Sequence, residues 1–182
     1  VAADLLAQAE HDSEAAAILL TPSQELAKKV VKEVEKQLSV LNRALIAKES
    51  IDKNGAIVIT RNLEEAVEIS NQIAPEHLEL MIENPWERLG QVRHAGAVFL
   101  GSMSPETVGD YIAGPSHVLP TSGTARFSSA LSVDTFIKKT SLIAYSRDAL
   151  LQDAKQVITL AEQEGLGAHA ASIRIRMEDK DE

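Results

Sequence analysis

Residues 56–70, AIVITRNLEEAVEIS, change hydrophobic period partway through. Ala56 to Thr60 form a short apolar run of the kind that makes a buried strand. Behind Asn62, whose side chain suits a helix N-cap, Leu63, Ala66, Val67 and Ser70 share one helical face. Asn54-Gly55 supplies the turn in front. If this order of strand then helix recurs, the sheet is mainly parallel and covered by helices.

It recurs in both directions. Downstream, Pro75 must stop the helix, Leu78 to Ile82 (LELMI) suggests a strand, Asn84-Pro85-Trp86 opens a short helix, and Gly96 to Leu100 (GAVFL) is a further strand. Upstream, the apolar run Ala15–Leu20 leads to Thr21-Pro22-Ser23, a hydroxyl and a proline suited to a cap and first turn. Leu26, Val30, Val34 and Leu38 then recur at about 3.6 residues, which predicts one helix from Glu25 to around Lys48. After Gly101 the character changes. Residues 103–129 are rich in Gly, Pro, Ser and Thr, and such a long irregular stretch in a compact domain is usually functional or disordered. A helical pattern returns from Ser146 to about Glu164, and EGLGAHAASIRIRMEDKDE reads as a small helical tail outside the sheet. The expected class is therefore α/β, a mainly parallel sheet flanked by helices with a C-terminal helical tail.

A chain of 182 residues can bury the core of one domain, or of one domain with an appendage. Lys and Arg number 18 against 27 Asp and Glu, and the net charge of −9 comes with no basic stretch or aromatic ladder, so nucleic acid is not an expected partner. No apolar run approaches the roughly 20 residues of a membrane helix, and nothing resembles a secretory leader. The expectation is a cytoplasmic protein without a membrane partner. There is no cysteine, which excludes disulfides, thiolate metal sites and cysteine nucleophiles within this chain. Any metal must be held by nitrogen and oxygen. Val1 opens what looks like the middle of an element, so a piece of a longer polypeptide is expected.

The polar chemistry gathers in several places. Glu76 and His77, in IAPEHLEL, sit after a helix broken by Pro75 and before a strand, not at a strand's carboxyl end where ligands of open parallel sheets collect. A carboxylate and an imidazole can share acid and base work near neutral pH, although a pair in such a turn is ordinarily just solvated. Gln8 and His11, three apart, would share a face of a helix and could share a ligand. Asp110 and His117 bracket a glycine turn in the long polar loop, and Glu164 and His169 lie where the last helix runs out. Residues of these types could assemble a nitrogen and oxygen site suited to zinc, though they are scattered, unlike a compact HExxH. His94 has the dullest surroundings and is read as structural.

Taken together, QAEHD at 8–12, APEHLEL at 74–80, GDYIAGPSHVLPTSGTARFSS at 109–129 and EGLGAH at 164–169 resemble the C-terminal part of the histidinol dehydrogenase family. The resemblance runs from the first residues to about Arg176. It implies an incomplete Rossmann-like sheet, with residues 1–130 as the substrate- and zinc-binding part and 131–182 as a helical tail exchanged in a homodimer with shared active sites. It also implies oxidation of L-histidinol to L-histidine through histidinaldehyde, with Zn2+ and NAD as cofactors. By resemblance Gln8, His11, Asp110 and His169 match zinc ligands, Glu76 and His77 the acid/base pair, and His117 and Glu164 contact substrate together with these residues. The family's N-terminal portion, with most nicotinamide-binding residues, has no counterpart here, and there is no GxGxxG. Two other readings remain: a zinc hydrolase in which Glu76 activates metal-bound water, and a catalytically silent dimerisation fragment.

Overall fold

The computed structural model describes residues 1–178; the last four residues of the MEDKDE end lie outside the described residues. The chain forms two compact units, one spanning Val1–Phe136 and the other beginning at Ile137.

In the first unit, helix α1 (Ala2–Ala9) precedes strand β1 (Ile18–Thr21), helices α2 (Gln24–Leu38) and α3 (Ala44–Asn54), and strand β2 (Ala56–Ile59). Helix α4 (Leu63–Ile73), strand β3 (His77–Leu80), helix α5 (Pro85–Leu89), strand β4 (Ala97–Leu100) and helix α6 (Glu106–Tyr111) follow. All strand pairing is parallel, as the alternation predicts. The strands form two separate pairs, β1 with β2 and β3 with β4, where one continuous sheet was expected. In each pair the partners are consecutive strands joined through helix, the connection that parallel neighbours require.

The caps fall where the sequence places them. Ser23 Oγ accepts from the Leu26 amide at 3.1 Å to start α2, and Asn62 Oδ1 accepts from the Glu65 amide at 2.9 Å to start α4. Pro85 occupies the first turn of α5. The single helix expected from Glu25 to Lys48 is instead two. Ser39 Oγ donates to the Lys36 carbonyl at 2.7 Å, and the amides of Val40 and Leu41 reach back three residues instead of four. A serine bonding its own backbone competes with helix continuation, and tightened turns of this kind end helices. The core under these helices is built from Leu6, Ala9, Ala17 and Ala47, with Leu5, Val34, Leu38, Leu41 and Ile51 packed around it. Small alanines let α1 and α3 lie close, and Ser50, fully buried, donates to the Ala15 carbonyl at 2.9 Å.

Helix α4 ends at Ile73, and Ala74 leaves it in the left-handed region at φ 53°. The 91–94 turn is held from the same helix by one side chain. Asn71, buried, donates from Nδ2 to the Gln91 carbonyl at 2.9 Å, while its Oδ1 accepts from the amides of Arg93 at 2.7 Å and His94 at 3.2 Å. His94 thus sits in a structural turn.

The second unit is a helical hairpin, α7 (Arg147–Gln163) capped by Ser146 and α8 (Gly167–Glu178). Gly165 at φ 73° turns the chain, and the Leu166 amide reaches the Ala161 carbonyl at 2.8 Å. Its buried residues are alanines, Ala154, Ala161 and Ala170.

Asn71→Ala leaves two backbone amides and a carbonyl of the 91–94 turn without partners in a buried place. The expected loss is about 2–3 kcal/mol of stability, read as a lower midpoint of urea unfolding at unchanged slope.

Candidate active site

Strand β3 begins at His77, and its alternation puts His77 and Glu79 on one face. Helix α6 meets that face. Glu79 Oε1 accepts the Glu106 amide at 2.8 Å, which ties the first residue of α6 to the middle of β3. Glu106 and Asp110, four apart, lie on one side of the helix. One oxygen of each, with a ring nitrogen of His77, lies within 4.8 Å of the others; Glu106 Oε1 is 3.8 Å from His77 Nε2. Close approach of α6 depends on Gly109, because a Cβ there would stand 2.6 Å from the Phe99 ring. Phe99, in register with Glu79 on β4, also flanks His77 with its ring centre 6.0 Å away.

The sequence predicts this region as irregular, and α6 is a difference from that expectation. Its cap is tertiary. The Glu79 carboxylate that receives the first amide comes from a strand 27 residues away, and no side chain of the local segment makes a capping hydrogen bond. Glu106 is likewise absent from the predicted site residues. The signal that could have found it is the four-residue spacing from Asp110.

Electrostatically the cluster is crowded. Burial and the neighbouring Asp110, Glu79 and Glu76 carboxylates push the Glu106 carboxyl up to about 7. Burial likewise raises Glu79 above the usual carboxylate range. Burial lowers the His77 imidazole, against the pull of Glu76 and Asp110 and with the repulsion of His11. Both ring nitrogens of His77 are buried without a hydrogen-bond partner among the described residues. Two carboxylates facing an unpartnered imidazole make a donor set of nitrogen and oxygen that fits a divalent cation, whose charge would offset the repulsion.

The predicted residues divide as follows. His77 and Asp110 are brought together, and Glu76 precedes His77 in the chain. Gln8 closes the last turn of α1, and His11 follows it with its amide on the Gln8 carbonyl at 3.3 Å. The helix ends at Ala9, so the two do not share a helical face as the spacing predicts, but His11 is near enough for its charge to act on His77. His117 is exposed on the loop after α6. Glu164 and His169 flank the α7–α8 turn in the second unit, both exposed.

The chain is thus a mixed α/β scaffold with paired parallel strands and an imidazole–carboxylate cluster at the start of β3. The family model for histidinol dehydrogenase matches residues 1–177, and the chain belongs to that family, one of oxidoreductases. The chain is 59% identical to a histidinol dehydrogenase of Bacillus cereus over 180 residues, covering 99% of this chain and 42% of the relative. It is 60% identical to that of Caldanaerobacter subterraneus over 176 residues, 97% of this chain and 41% of the relative. A crystal structure of histidinol dehydrogenase from Elizabethkingia anophelis superposes with a TM-score of 0.87 at 38% identity, over 97% of this chain and 41% of that one. The chain thus spans about two fifths of the length of the relatives it matches. Among the described residues no helix is long and apolar enough to cross a membrane.

Gly109→Ala should force α6 away from Phe99. The expected result is a loss of about 1–3 kcal/mol of stability from overpacking, with displaced NMR signals of the His77 ring. Unchanged stability and unchanged ring signals would show that α6 does not set this contact.

Proposed function

We propose that this chain supplies the substrate- and metal-binding part of a cytoplasmic enzyme that oxidises L-histidinol to L-histidine through histidinaldehyde. The observation that carries the reading is the close meeting of His77 with the α6 carboxylates, within a chain that matches the family over residues 1–177. Gln8, His11, Asp110 and His169 would hold zinc. When bound, zinc would fix the imidazole and amino nitrogens of the substrate, and NAD would accept hydride.

The residues of this chain do the proton work. His77 takes the proton of the alcohol as it is oxidised; burial lowers its imidazole below the usual range, which favours the neutral ring that has a lone pair to offer. This chain holds no thiol that could carry the aldehyde, and hydration by a general base is the simpler route to the second hydride donor. Glu76 is placed beside His77 in sequence and acts as the base that delivers water to the aldehyde. His117 and Glu164 contact the substrate. A zinc hydrolase is less well supported, because the carboxylates and imidazole come from separate elements and lack a compact metal motif.

Residues 1–130 form the substrate and zinc part, and 131–182 the tail. The tail is exchanged with a second copy, so that each site is shared. The hairpin is compatible with this: its contacts bury alanines, while Leu160 and Ile175 on its helices are each 62% exposed in the single chain. The chain in isolation is expected to be a folded, dimerising and catalytically silent part.

Three outcomes test the reading. Calorimetric titration of L-histidinol into the zinc-loaded chain should show binding that is lost after chelation and in His11→Ala; binding indifferent to both would remove the zinc assignment. In the full-length enzyme, Glu76→Gln should still oxidise the alcohol but stall at the aldehyde, giving one NADH per histidinol in place of two. Sedimentation at micromolar concentration should show dimer, and a strict monomer would end the tail-exchange proposal for this chain.

A further inference from the structure

Glu106 is a carboxylate that neither the acid/base pair nor the expected zinc ligands include, yet it is the acid nearest the proton carrier. Among the described residues it alone comes within ion-pair distance of an imidazole nitrogen of His77, with Oε1 3.8 Å from Nε2. Both side chains are largely shielded, at 15% and 21% exposure, so the approach is not a chance surface encounter. The ring is also contained on another flank by Phe99 at 6.0 Å. Glu106 in turn is anchored: its amide is held by Glu79 Oε1 at 2.8 Å, and Gly109 lets its helix lie against β4.

A neutral imidazole has one N–H and one lone pair, and the group that receives the N–H decides which nitrogen is which and where the ring points. Neither buried ring nitrogen of His77 has a hydrogen-bond partner among the described residues; at 3.8 Å Glu106 Oε1 is the ion-pair neighbour of Nε2 but lies beyond hydrogen-bond length. We propose that Glu106 is a positioning residue for His77: drawing in from the 3.8 Å seen here, as catalytic contacts do when substrate binds, its carboxylate receives the hydrogen of Nε2, fixing one ring orientation and one tautomer and leaving the lone pair on Nδ1. Glu79 acts behind it by holding the start of α6. The proposal rests on the reading of His77 as the proton carrier.

The test combines a spectroscopic and a kinetic arm. In the 15N-labelled chain, the ring nitrogens of His77 report the tautomer directly. The wild type should show the Nε2–H form, Glu106→Gln should keep it because the amide oxygen still accepts, and Glu106→Ala should lose its dominance. In the full-length enzyme, Glu106→Ala should lower kcat about tenfold or more, with KM for histidinol changed less than about twofold, and Glu106→Gln should recover part of the loss. A His77 tautomer identical in wild type and Glu106→Ala would overturn the proposal. So would a kcat loss as large in Glu106→Gln as in Glu106→Ala with no change of tautomer. Absence of dehydrogenase turnover in the wild type, alongside the same tautomer dependence, would overturn the functional reading and keep the His77–Glu106 contact.

Discussion

The stitch between the α4–β3 turn and the start of β4 is the constraint on which the rest of the site depends. The Pro75 and Glu76 carbonyls accept the amides of Gly96 at 2.9 Å and Ala97 at 2.8 Å. These bonds begin the parallel ladder and fix His77 opposite Ala97 and Glu79 opposite Phe99. A slip of one residue would send His77 and Glu79 to the other face, away from α6. The stitch also demands glycine at 96, since a Cβ there would lie 2.6 Å from the Glu76 carbonyl oxygen. A backbone contact thus dictates where an imidazole points.

With the register set, α6 brings acids to the imidazole at an electrostatic cost. Glu79, Glu106 and Asp110 crowd the same half-buried space, and burial disfavours the charged forms of Glu79 and Glu106. Such an arrangement persists only where the surrounding fold over-determines it, and here a strand ladder, a tertiary helix cap and a glycine contact all do so. A group that brings positive charge would relieve the repulsion, which is the physical sense of a cation site in this place.

Much of the fold was legible because its signals are local. The apolar run at Ala56–Ile59, the Asn62 and Ser23 caps, Pro85 in a first turn and the glycine before β4 each act over a few residues, although β2, expected as a buried strand, leaves Ala56, Ile57 and Ile59 exposed in this chain. The readings that failed depended on distant or competing partners. Ser39 broke the long helix through its own backbone, against a periodicity that continues beyond it. Helix α6 owes its start to Glu79, far away in sequence. The separation of the strands into two pairs is likewise a matter of tertiary order that periodicity does not encode. In the site, His77 and Asp110 were named from the family resemblance, and the structure sets them side by side. Glu106 went unnoticed because a glutamate at the edge of a polar stretch looks like solvated surface. Only its burial against β3 distinguishes it.

Ala74 joins the helix to the site in a left-handed conformation while being fully buried. Those two facts pull on the choice of side chain in opposite directions. Glycine would remove the backbone penalty but would leave a gap beneath the turn and loosen the link just ahead of Glu76. A branched side chain would add strain at that φ and find no room. The smallest residue that still has a Cβ satisfies both demands, so position 74 has a narrow mutational tolerance even though alanine carries no chemistry of its own.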